Sequence, residues 1–179
     1  MSAAISSPCH ASCGTVDPDS VTQVAEYLAQ VEQQCRAQGV RLTPLRREVL
    51  SLVLSAQKPI GAYDLLAQLG QEGRPAAPPT VYRSLDFLME HGFIHRLASI
   101  NAYLSCCHPE HRHQSVFLIC TECQRTDELS VAALAQPLQA ITTQQQFKVQ
   151  QSLIEISGLC KNCQTQPRQA SSSQGGQHV

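Results

Sequence analysis

Apolar positions recur at helical spacing through the first half of the chain and at alternate positions through much of the second. Val24, Leu28, Val31 and Cys35 fall on one stripe, which predicts a helix from a cap at Asp19 or Ser20 to about Gln38, closed by Gly39. Thr43-Pro44 reads as an N-cap and a first-turn proline, opening a second helix with Leu45, Val49, Leu52 and Val53 turned inward. A short third helix is expected from Gly61-Ala-Tyr-Asp-Leu-Leu66 to Gly70 or Gly73. A fourth begins at Pro78-Pro79-Thr80, carries Val81, Leu85, Leu88 and Met89 on its apolar side, and stops at Gly92.

After Gly92 the period shortens to two. Phe93, His95 and Leu97, then Ala102, Leu104 and Cys106, alternate on either side of Ser99-Ile100-Asn101, which predicts a hairpin. Helices followed by a hairpin make a winged helix-turn-helix, with the fourth helix placed for the major groove of DNA and the hairpin as the wing. The remainder reads as a small α/β unit. Its strands are expected at Val116–Cys120, Arg125–Ser130 and Phe147–Ser157, with a helix between about Val131 and Gln144. Pro137 lies inside that helix, where a proline costs about 3 kcal/mol, so a kink or a late start is expected. A three-stranded sheet leaves an apolar face open, which predicts pairing with a second copy of the chain.

The fold class is therefore α+β: an N-terminal winged helix-turn-helix domain and a small C-terminal α/β dimerisation domain with a three-stranded sheet. The expected boundaries are a flexible tail at 1–19, the DNA-binding domain at 20–98, a wing strand and hinge at 99–105, a metal-binding dimerisation domain at 106–163 and a disordered polar tail at 164–179.

Cysteine changes the picture most. Cys120-x-x-Cys123 recurs as Cys160-x-x-Cys163 with 36 residues between. Two residues between thiols let one tight turn aim both sulfurs at a single ion, and two such knuckles complete a closed tetrahedral zinc site. Upstream stand Cys106, Cys107, His108, His111 and His113, a mixed cluster of the kind that holds an exchangeable ion. Nine cysteines, an odd count, with knuckle spacing and no secretory signal, favour reduced thiolates in the cytoplasm over disulfides. No stretch approaches 18 apolar residues, so no membrane span is expected. The remaining ligand types have plainer readings. Cys35 belongs to a helix core, His91 to a helix end, and Cys9, His10, Cys13 and His178 to the tails.

The net charge of −1 excludes binding to nucleic acid by bulk charge. Residues 20–98 carry eight Lys/Arg against seven Asp/Glu, so any DNA affinity comes from placement and dimerisation. Arg83, near the start of the fourth helix, has the chemistry to donate two hydrogen bonds to guanine, with Tyr82 beside it and Tyr63 at the start of the third helix.

Arg41-Leu-Thr-Pro-Leu-Arg46, Ala62-Tyr-Asp-Leu-Leu66, Pro78-Pro-Thr-Val-Tyr-Arg83, Leu85-Asp-Phe-Leu88, Gly92-Phe-Ile-His95 and the two knuckles occur in that order. Across residues 21–163 this resembles the ferric uptake regulator (Fur) superfamily, and within it the zinc uptake regulator (Zur) branch. The resemblance implies a homodimeric, zinc-responsive transcriptional repressor that binds AT-rich palindromic DNA operators when zinc-loaded and controls zinc uptake genes. It implies Tyr63 and Arg83 as DNA-reading residues, with Tyr82 secondary. Two zinc ions per subunit are implied. Cys120, Cys123, Cys160 and Cys163 would hold the structural one, and His95, Cys106, His113 and Glu128 the regulatory one.

Two imidazoles, one thiolate and one carboxylate suit tetrahedral zinc, and the thiolate disfavours harder Fe²⁺ and Mn²⁺. Cys107, His108 and His111 compete for the same site, and Asp127 for the place of Glu128. An iron- or peroxide-responsive regulator of the same superfamily is the alternative. A zinc-dependent hydrolytic enzyme is more remote: His108-Pro-Glu110 before Cys120-x-x-Cys123 echoes a deaminase signature, but the second knuckle closes that site to water. No enzymatic activity and no small-molecule substrate are expected.

Overall fold

The computed structural model describes residues 21–71, 77–106, 109, 115–130, 132–149 and 152–165. The expected 1–19 tail and most of the 164–179 tail lie outside them, as do Cys107, His108, His111 and His113.

Four helices build the first core. They are α1 (Val21–Ala37), α2 (Pro44–Ser55), α3 (Ala62–Gln71) and α4 (Pro78–Glu90). Thr43 caps α2, its hydroxyl accepting from the Arg46 N–H at 3.4 Å, with Pro44 in the first turn as expected. Leu50, Leu54, Leu65, Leu69, Leu85 and Leu88 meet in the centre, all fully buried, and Cys35 joins them as a core residue. Gly92 takes φ +74° after α4, while the Phe93 N–H reaches the Leu88 carbonyl and the Gly92 N–H that of Met89. That left-handed stop satisfies the last carbonyls of the helix and turns the chain directly into the wing.

The wing is β2 (Ile94–Leu97) and β3 (Ala102–Ser105), joined by a four-residue turn over Ala98–Asn101. Asn101 sits at φ +48°, its N–H directed at the Ala98 carbonyl. A two-residue strand, β1 (Ile60–Gly61), adds to β3 and makes it the central strand of a β1-β3-β2 sheet. Two residues are too few to show a period, so β1 was not predicted. The expected alternation in the wing is also incomplete, because all four residues of β3 are buried. Tyr103 packs into the helical core, while Leu104 and Leu97 pack with Phe117 and Ile119 of the second half.

That second half is a sheet of order β5-β4-β6. Here β4 (Ser115–Cys120) runs antiparallel to β5 (Thr126–Ser130) and parallel to β6 (Leu153–Gly158). The parallel crossover is α5 (Ala132–Gln144), and α6 (Lys161–Thr165) follows β6, taking Gln164 and Thr165 out of the predicted tail. The last strand begins at Leu153 rather than Phe147. Its described pairing with β4 runs from Ser115↔Leu153 to Cys120↔Gly158. Leu118 and Ile156, paired across the outer face, are exposed, as are Ile141 and Leu159. No helix among the described residues is long and apolar enough to cross a membrane.

The late start expected for α5 is not seen. Pro137 is its sixth residue, past the first turn where missing N–H groups carry no penalty, so one helical hydrogen bond is lost there. Pro137→Ala should restore that bond. The gain is partly offset by about 0.4–1 kcal/mol from a freer unfolded chain, leaving a net stabilisation of about 2 kcal/mol in chemical unfolding.

Candidate metal centres

Pairing of Cys120 with Gly158 brings the ends of β4 and β6 side by side, and with them the two knuckles. The first knuckle is a tight return. Cys120 donates its N–H to the Arg125 carbonyl at 2.9 Å, Gln124 donates to Cys120 at 2.9 Å, and Gln124 adopts φ +62°. The second is formed by Cys160, just before α6, and Cys163 within it. The four sulfurs all lie within 4.8 Å of one another, with Cys123 and Cys160 3.7 Å apart. Zinc–sulfur bonds of about 2.3 Å make a tetrahedron with edges of about 3.8 Å, so the donor set fits that ion. All six described cysteines are free. The Cys120 thiol is lowered to about 6, chiefly by the backbone N–H of Cys123 and then that of Cys160. Hydrogen bonds to the Cys160 and Cys123 sulfurs push Cys163 up to about 12. Cys120 thus offers a thiolate near neutral pH, and metal binding there would release the proton held by Cys163.

A second cluster lies between the two halves. His95 of β2, Cys106 just past β3 and Glu128 of β5 bring one ligand atom each to within 4.8 Å of the others. His95 Nε2 is 3.5 Å from Glu128 Oε1, near the edge of about 3.4 Å expected for nitrogen and oxygen around tetrahedral zinc. Cys106 and Glu128 are buried, and Glu128 accepts a 2.6 Å hydrogen bond from the Ser115 hydroxyl. A buried carboxylate needs such partners. The His95 ring leans on Phe117 with centroids 5.2 Å apart. The backbone at Cys106 is pinned by its N–H on the Phe93 carbonyl and by the Tyr27 hydroxyl, 2.7 Å from the Cys106 carbonyl.

Of the expected regulatory set, three residues converge and the fourth, His113, lies outside the described residues. Asp127 is not an alternative to Glu128. Alternation along β5 sends it to the opposite face, where it is half-buried and bound by Arg125 at 3.1 Å. His91 ends α4, its Nδ1 2.9 Å from Gln38 Oε1. Sequence reasoning missed Ser115, Phe117 and Tyr27. Their roles rest on the sheet register and on packing across more than 60 residues, which leave no local signal. On the outer surface Tyr63 at the start of α3 is 79% exposed, and Tyr82 and Arg83 are exposed on α4.

A winged-helix unit joined to a thiol-closed sheet by a buried Cys/His/Glu cluster defines a metal-dependent DNA-binding regulator by architecture. The model of the Ferric uptake regulator family matches residues 37–157, and the chain belongs to that family, on its zinc uptake regulator side. It is 39% identical to the Zinc uptake regulation protein of Escherichia coli (strain K12) over 143 residues, 79% of this chain and 84% of that protein. A solved zinc uptake regulator complexed with zinc and DNA is similar at TM-score 0.76 and 38% identity, over 79% of this chain and 95% of that one. The crystal structure of holo XcZur is similar at TM-score 0.73 and 41% identity, over 79% of this chain and 99% of that one.

Cys160→Ser opens the four-thiol set. The expected result is loss of one tightly held metal equivalent and a fall of several kcal/mol in stability, followed by metal analysis and thermal unfolding. Wild-type stability with that equivalent missing would contradict a folding role.

Proposed function

We propose that this chain is a zinc-responsive transcriptional repressor, cytoplasmic and without enzymatic activity, that binds DNA operators as a homodimer when zinc-loaded. The observation that carries the reading is the convergence of His95, Cys106 and Glu128 from both halves of the molecule. Kinship to zinc uptake regulators supports it, as does the exposed apolar face at Leu118 and Ile156, suited to a second copy.

Two zinc ions per subunit have separate tasks in this reading. Cys120, Cys123, Cys160 and Cys163 hold the structural one, coupling metal to the folding of the sheet's end. His95, Cys106 and Glu128, with His113 as fourth ligand, form the regulatory set. A bound zinc ion supplies directed bonds there between groups of opposite domains. His95 then fixes the wing, Cys106 the chain leaving it, and Glu128 the sheet, so the angle between the DNA-binding and dimerising halves is set. A dimer reading two half-sites imposes a spacing that only certain angles satisfy. Tyr63, Arg83 and Tyr82 form the reading surface, with Arg83 as the base-contacting donor and AT-rich palindromes upstream of zinc uptake genes as the target.

Occupancy of the regulatory set thus selects the DNA-competent arrangement, and DNA binding tightens zinc binding by the same factor. A decisive shift needs about 3–5 kcal/mol of differential affinity, within reach of a transition-metal site. The single thiolate of Cys106 biases the set toward zinc over iron or manganese.

A zinc titration of operator binding at fixed salt tests this reading, with Cys106→Ser and Cys107→Ser in parallel. Cys106→Ser should keep its structural zinc and its dimer but lose zinc-dependent binding. Cys107→Ser should move the zinc midpoint little. If Cys107→Ser is the inactive variant, the ligand set is wrong.

A further inference from the structure

Glu155 makes the wing's other attachment to the sheet. Phe117 of β4 is in register with Glu128 of β5 on one side and with Glu155 of β6 on the other. Residues in register share a face, so Glu128, Phe117 and Glu155 form a row across the sheet beneath the wing. Each member meets a different part of the hairpin. Glu128 faces His95, Phe117 packs against His95 and with Leu97 and Leu104, and Glu155 reaches the turn beyond β2. There its two carboxylate oxygens accept from successive backbone groups, Oε1 from the Ala98 N–H at 2.8 Å and Oε2 from the Ser99 N–H at 3.0 Å. Burial works against the charged carboxylate, yet the Ser99 hydroxyl and the two N–H groups hold its pKa below the ordinary value. The contact is therefore a charge-assisted, two-point bond, stronger than a neutral hydrogen bond.

We propose that Glu155 is a positioning residue for the metal response. By clasping the Ala98–Ser99 turn it holds the wing over the sheet, so that His95 is already near Glu128 and Cys106 when zinc arrives, and thereby sets the zinc threshold. This rests on the regulatory reading of His95, Cys106 and Glu128. When only part of the ensemble is closed, apparent affinity falls by that fraction. Releasing the clasp raises the zinc needed for closure but leaves the fully zinc-bound state able to bind DNA. A purely structural residue would instead lower the plateau of DNA binding or the stability of the dimer.

The test removes either side of the clasp. Glu155→Gln keeps the shape but replaces one acceptor with a donor that faces another donor. Ser99→Pro deletes the other partner's N–H. Ser99 follows the Ala98 carbonyl that accepts from Asn101, a turn position where proline is favoured, so the turn itself survives. Full-length protein with its structural zinc is titrated with zinc against operator DNA at fixed salt. Hydrogen exchange at the Ala98 and Ser99 amides of Glu155→Gln is followed in parallel.

Each variant is expected to shift the midpoint to about tenfold higher zinc with an unchanged plateau, and the double variant to shift no further than the larger single one. Exchange at both amides should quicken in Glu155→Gln. Midpoints within about twofold of wild type in both variants would overturn the proposal, and so would a lost plateau or dimer in both. A wild-type protein with no zinc-dependent midpoint would instead strike down the regulatory reading itself.

Discussion

The wing is packed on two cores at once. Tyr103 on one face of β3 belongs to the helical core, while Leu104 on the other, with Leu97 of β2, belongs to the cluster around Phe117 and Ile119. A DNA-binding wing needs only one supported face, so burial of both means that the hairpin also serves as the joint of the molecule. His95 has its position because of this. It leaves β2 on the sheet side, into a space bounded by Phe117, Cys106 and Glu128. A movement of the winged-helix half against the sheet disturbs these contacts, and a site built from both sides of the joint is sensitive to that movement.

The two ligand clusters differ in donor type and in where their residues come from. The thiols at 120, 123, 160 and 163 come from the ends of adjacent strands in one sheet, with four like donors and no contribution from the winged-helix half. A metal held there would bond to no residue of the winged-helix half. The set of His95, Cys106 and Glu128 draws on β2, the residue past β3 and β5, and mixes nitrogen, sulfur and oxygen donors. It already contains a 3.5 Å approach between imidazole and carboxylate and a serine hydroxyl on that carboxylate. Such outer contacts orient the ligand and tune it.

Much of this was legible in the sequence, for reasons that can be named. The four helices followed from apolar spacing and from strong punctuation at Thr43-Pro44, Pro78-Pro79, Gly39 and Gly92. Knuckle spacing is short-range, so the convergence of four sulfurs needed only the two strand ends to meet. What escaped depends on register or length. Two residues of β1 carry no period, and β6 takes its register from β4, which lies more than 30 residues away in the chain. The competition between Asp127 and Glu128 is settled by which face of β5 each occupies, visible only once Phe117 is known to oppose Glu128. Glu155 looks like any charge in an alternating strand until the wing turn is brought over it.

The central claim is that the joint holds an exchangeable zinc whose occupancy governs DNA binding, while the thiol set holds one that does not exchange. Stepwise chelation of the purified dimer tests it directly, with zinc per subunit, oligomeric state and operator affinity measured at each step. The account predicts two zinc ions at the start, with operator binding lost as the first leaves while the dimer persists on the second. Operator binding that survives removal of the first ion and disappears only with the last would contradict it.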